Sequence, residues 1–161
     1  MRLALCSTLI FMKARAVVLA IAAVLLVAAC TDEAGSVPKV EKDELIRQAD
    51  AVCKTADADL TSTISAAQGS GSPTVDQVRD VLVTKILPRL DQELGDLKDL
   101  GEPKTSRKDW DELVKAVDAA LTKLKLEAEA DPVKALTDVK TLFADADAKA
   151  QAFGLKECGK R

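Results

Sequence analysis

The sequence predicts an all-α protein, an antiparallel up-down four-helix bundle with one disulfide, preceded by a signal segment and a short tether. Three observations lead there. After residue 40, apolar side chains recur at three- and four-residue spacing over four separate stretches, and no stretch alternates with period two long enough to argue a strand. Each stretch is bounded by a start or stop signal. The first thirty residues are unlike the rest, apolar and free of Asp and Glu.

Arg2, Lys13 and Arg15 are the only charges before Cys30. The apolar run Ala16–Cys30 is 15 residues long. That is short of the about 20 a spanning helix needs and right for a signal-peptide h-region. It closes on Val27-Ala28-Ala29-Cys30, which resembles the lipobox of bacterial lipoproteins: an aliphatic residue, two small ones and a cysteine. The resemblance implies cleavage between Ala29 and Cys30 and a diacylglycerol thioether on the Cys30 thiol. Cys30 then becomes an acylated N-terminus. One acyl chain holds a protein only marginally, whereas two or more anchor it stably at about 0.8 kcal/mol per buried methylene. Met12-Lys13-Ala14-Arg15 reads as a complete n-region, which makes Met12 an alternative initiator; Cys6 goes with the discarded segment. The organisation expected is a signal peptide over 1–29, a lipidated tether over 30–40 and a helical domain over 41–161.

Cleavage removes three positive charges and leaves 20 basic against 26 acidic residues, a net −6. Such a surface repels nucleic acid and anionic head groups. The four aromatic residues, Phe11, Trp110, Phe143 and Phe153, are too few for a base-stacking surface. Residues 31–40, with Gly35 and Pro38 and no helical stripe, read as a tether; ten residues of this kind typically span about 16–19 Å.

The first helix is expected from about Glu41, with Leu45, Ala49, Val52, Cys53, Ala56, Leu60 and Ile64 as its stripe, ending at Gly69-Ser70-Gly71-Ser72-Pro73. The second carries Val75, Val78, Leu82, Ile86, Leu90, Leu94 and Leu97, with Thr74 and Gln77 as a capping box. Pro88 falls inside this stripe and should kink the helix rather than end it. Gly101 and Pro103 stop it. Ser106 is expected to cap a third helix whose face is Trp110, Leu113, Val114, Val117, Leu121 and Leu124. Asp131 as N-cap with Pro132 in the first turn opens the fourth, striped by Val133, Leu136, Val139, Phe143, Ala146, Ala150 and Phe153. Gly154 and Leu155 suit a Schellman-type end.

The mature chain keeps two further cysteines, Cys53 and Cys158. Export and an even count argue for a disulfide. In an up-down bundle the end of helix four lies beside the start of helix one, so a short turn-back brings Cys158 to Cys53. No Cys-x-x-Cys occurs and Cys53 lies on an apolar face, so nothing lowers its pKa for redox work. The ending Phe153-Gly154-Leu155…Cys158-Gly159, with an earlier cysteine in the first mature helix, resembles small helical lipoproteins of high-GC Gram-positive bacteria. That resemblance implies anchoring on the outer face of the cytoplasmic membrane and carries no catalytic residues.

The chain has no histidine, which removes Ser-His-Asp and Cys-His catalysis and every His-containing zinc or haem site. The acidic groups Asp57/Asp59, Asp109/Asp111/Glu112, Glu127/Glu129/Asp131 and Asp145/Asp147 match no calcium loop and are expected on solvated helix faces. Gly69-Ser70-Gly71-Ser72 follows a helix, whereas a phosphate loop follows a strand. Trp110 fits core packing better than a partner anchor. The functional expectation is therefore a non-enzymatic, membrane-anchored extracytoplasmic module, with no cofactor or metal, that binds an envelope protein or a small ligand. The competing expectation is a solute or lipid carrier with an apolar pocket between helices; the many alanines on the stripes argue for close packing and against it.

Overall fold

The computed structural model describes residues 37–68 and 72–160; Cys30 and the lipobox and signal segment expected around it lie outside the described residues. The order is β1 (Lys39–Val40), α1 (Lys42–Gln68), a second rod made of Val75–Val81, Leu82–Ile86 and Leu87–Asp99 (together α2), β2 (Glu102–Pro103), α3 (Arg107–Ala130) and α4 (Pro132–Phe153). The fold is thus four helices with a two-residue parallel ladder, β1 on β2, in register Lys39↔Glu102 and Val40↔Pro103.

The stripes meet in one core. Leu45, Ala49, Cys53 and Ala56 of α1 are fully buried, and Leu82, Leu90, Leu94, Leu97, Leu113, Leu121, Leu124, Phe143 and Phe153 join them. Small residues at Ala49, Ala120, Ala128, Ala146 and Ala150 let the helices approach closely. α3 and α4 pack along each other, and α2 touches the other three helices. Ion pairs tie the rods on the outside: Asp59 to Arg89 at 2.8 Å between α1 and α2, and Asp91 to Lys125 at 2.6 Å between α2 and α3.

Most boundaries follow local chemistry. Thr74 and Gln77 form the reciprocal capping box, the Thr74 hydroxyl accepting from the Gln77 amide at 3.3 Å and the Gln77 side chain from the Thr74 amide at 2.8 Å. Asp131 accepts from the amides of Val133 and Lys134, with Pro132 opening α4. At the other end Gly154 takes a left-handed φ of 112°, and the Leu155 amide reaches back to the Ala150 carbonyl at 2.9 Å, a Schellman closure.

Pro88 falls inside the rod without ending it, and a π turn accommodates it: Leu82–Ile86 widens the ladder so that the Leu87 amide donates to the Leu82 carbonyl, just before the residue that has no amide to give. Three expectations are corrected. Ser106 precedes α3, but its backbone is left-handed (φ 59°) and its hydroxyl makes no capping bond; N-capping needs an extended backbone to aim the oxygen at the first turn. In the first turn of α4 it is Ala135 that faces the core, while Val133 and Leu136 are exposed. Finally, the tether is not separate up to residue 40. Pro38 and Val40 carbonyls accept from the amides of Glu102 (2.9 Å) and Lys104 (2.8 Å), which stitches this segment to the loop between α2 and α3.

Candidate functional site

The two cysteines within the described residues are joined. Cys53 and Cys158 form a disulfide across a sequence separation of 105, with Cα atoms 5.1 Å apart. Both are buried, and the tail that carries Cys158 is held independently: the Asp50 carboxylate accepts from the amides of Lys156 (2.9 Å) and Glu157 (2.8 Å), and Leu155 is buried. The pair is a staple of the fold. Trp110 is a core residue, its ring 5.4 Å from that of Phe153, over which the Lys42 ammonium sits at 4.6 Å.

The acidic groups weighed from the sequence do not assemble. Among the described residues no three Asp, Glu or Cys come together as metal ligands, and no helix is long and apolar enough to cross a membrane. Asp147 departs from the solvated-face expectation: it is buried, and so is Glu93 at 1 % exposure. The register explains both. Glu93 lies three residues from Leu90 and four from Leu97, and Asp147 four from Phe143 and three from Ala150, so each occupies a position on its own apolar stripe. Neither is isolated from interacting neighbours, and neither lines the cleft described next.

Several surface hollows of about 320–460 Å³ lie among the described residues; the one with a mostly apolar lining is a cleft of about 320 Å³ between the second half of α1, the middle of α2 and the first half of α4. Leu60, Ile64, Ile86, Leu90, Leu136, Val139 and Phe143 make its apolar wall, with Asp57, Thr137 and Lys140 as its polar members. A smaller hollow of about 100 Å³ shares Ile64, Ile86 and Leu136 with it and continues towards Pro73 and Val78. The cause is local. With Ala135 turned inward and Leu136 outward, α4 offers little bulk to fill the space towards α1, whose last turns are rich in Ala, Ser and Thr. An apolar hollow open to water can accept an apolar group and orient it by the few polar members at its edge. Among the described residues Lys140 has no ion pair, whereas Lys134, one turn and a half earlier, bonds Asp138 and Glu127, which raises its pKa. Apart from Asp57, weighed among the acidic groups, none of the cleft residues was singled out as a site in the sequence; Leu60, Ile64, Ile86, Leu90, Leu136, Val139 and Phe143 read there as ordinary stripe residues.

No protein-family model, curated protein or solved structure matches this chain, so its function has to be read from its own residues.

Proposed function

We propose that this chain is a lipoprotein anchored to the outer face of the cytoplasmic membrane through Cys30, and that its up-down antiparallel bundle is a non-enzymatic binding module with the α1–α2–α4 cleft as its site. The basic flank, the apolar run and Val27-Ala28-Ala29-Cys30 support the anchor, and a disulfide suits an exported domain. The Asp59–Arg89 and Asp91–Lys125 pairs, with Lys42 over Phe153, support the antiparallel order.

The cleft carries the binding reading. Seven of its ten lining residues are apolar, and Ile64 and Leu136 at its edge are exposed. Apolar surface held open to water by an otherwise closed core marks an interaction site. A second reading, a solute or lipid carrier, is favoured by the position of the cleft between helices and by its volume, which meets the lower bound of about 300 Å³ for small-molecule sites.

Native mass spectrometry of the protein released from its own membranes tests both, using wild type and Leu136→Lys. A bound protein that is lost in the variant supports the interaction module; a bound small molecule that is lost supports the carrier. Occupancy equal in the two proteins, or a wild type that carries nothing, contradicts the site.

A further inference from the structure

We infer that the α1–α2–α4 cleft takes a single-chain amphiphile with an uncharged, hydroxyl-bearing head, the chemistry of a glycerol monoester. Its alkyl chain lies in the apolar trough and its head at Asp57, Thr137 and Lys140. The inference rests on the binding reading of the cleft above and names its occupant.

Polar and apolar walls are segregated along the helices. Asp57, Thr137 and Lys140 line the cleft, and none of them lines the smaller hollow that continues it. Cleft and hollow share Ile64, Ile86 and Leu136; beyond these the hollow is walled by Ala67, Pro73, Val78 and Val81. Its one polar member, Gln77, has its side-chain oxygen engaged by the Thr74 amide. An extended peptide laid here would bring an N–H and a C=O with every residue, and those turned to the wall would go unsatisfied. An alkyl chain brings none, and it covers Ile64 and Leu136, which stand exposed at the shared edge.

The trough also sets a length. On α1 the lining runs from Asp57 at the mouth through Leu60 to Ala67, about 15 Å in all and about 10 Å beyond Leu60 at 1.5 Å per residue. Carbon–carbon bonds of about 1.5 Å at near-tetrahedral angles advance about 1.25 Å per carbon, so a chain of about eight to twelve carbons fills it.

The mouth decides the head. It holds one cation and one carboxylate, Lys140 exposed and Asp57 half-buried. The Thr137 hydroxyl already donates to the Val133 carbonyl at 2.9 Å, so it meets a ligand as an acceptor. A carboxylate has about four acceptor sites, so Asp57 can take a hydroxyl in addition to the neighbours it already has. The Lys140 ammonium only donates, which suits an ester carbonyl. A hydroxyl-bearing ester therefore matches donor to acceptor at all three residues. For an anionic head the attraction of Lys140 and the repulsion of Asp57 offset, and the cost of drying the charge remains.

Methyl NMR tests this with the full chain as isolated from its cells, in nanodiscs where it carries lipid, labelled at its isoleucine δ-methyls. Ile64 and Ile86 report from the cleft, and Ile46 lies outside its lining. Glycerol monodecanoate should shift Ile64 and Ile86 and leave Ile46 in place, half-maximally at about a tenth of the aqueous concentration that decanoate needs. In Asp57→Asn decanoate should gain, narrowing the gap to about threefold or less. Decanoate binding as tightly as the ester, or an unchanged gap in Asp57→Asn, overturns the head assignment and leaves the cleft a site. If neither amphiphile shifts Ile64 or Ile86 while the native mass spectrum shows a protein held by wild type and lost in Leu136→Lys, the cleft belongs to a protein and the amphiphile is overturned. If neither shifts them and the native spectrum is bare, the binding reading of the cleft fails, and its occupant with it.

Discussion

Removing the Cys53–Cys158 bridge should cost the domain several kcal/mol without changing its fold. The closed loop spans a sequence separation of 105, for which the chain-entropy model gives about 4.8 kcal/mol at 25 °C. The native state has little reason to rearrange when the bond is gone, because the tail keeps its two amide bonds to Asp50 and the buried Leu155. The loss is therefore chiefly freedom returned to the unfolded chain. Alanine is the better replacement, since Cys53 is fully buried and a serine hydroxyl there would add the cost of a buried polar group. Urea unfolding of oxidised wild type, C53A, C158A and the double variant gives the comparison, with free thiols blocked in the single variants. Each single variant should lose about 4–5 kcal/mol, and the double variant no more than either. Losses below about 2 kcal/mol would refute the denatured-state account. Additive losses would refute a shared bridge.

Other positions give sharper local readouts. Gly101→Ala should cost about 1–3 kcal/mol through left-handed strain and the broken ladder. Hydrogen exchange should then speed up at the Glu102 and Lys104 amides while the buried turns of α3 and α4 keep their protection. Asp131→Ala should lose about 1 kcal/mol of stability, whereas Ser106→Ala should stay within about 0.5 kcal/mol, because only Asp131 caps with its side chain; equal losses on urea unfolding would contradict that difference. The Glu44 carboxylate is held below the usual range by its bonds from Arg47 and Gln48. Its contribution is present above the ordinary carboxylate pKa and disappears as pH falls through the lowered one. A carbon-detected NMR titration should show that low value, moving back towards normal in Arg47→Ala.

How far the fold was legible depends on whether local chemistry or distant packing decides each feature. The Thr74–Gln77 box, the Asp131-Pro132 start and the Gly154–Leu155 end are formed by residues within a few positions of one another, and each appears where its sequence signal stands. The π turn at Leu82–Ile86 was half legible: Pro88 announces a disturbed ladder, but not that the turn before it will widen. Ser106 has the right side chain for a cap and the wrong backbone, left-handed in the loop that follows β2. The ladder itself joins segments with no strand pattern, so only the folded chain reveals it. Glu93 and Asp147 occupy stripe positions that apolar periodicity alone does not flag. The cleft was illegible for a related reason. Stripe residues such as Leu136 and Ile64 look like core, and whether a facing helix covers them depends on how far Ala135 turns α4 inward.

The central claim is a lipid-anchored, disulfide-stapled module, and its most direct test is the intact mass of the protein extracted from its own membranes. The extracted chain should begin at Cys30, be heavier than the bare polypeptide by a diacylglycerol or more, and be lighter by two hydrogens until reduced. Cys30→Ala should remain an uncleaved precursor or leave the membrane. A wild-type N-terminus other than Cys30, or a processed Cys30→Ala form that stays firmly in the membrane, would contradict the anchor.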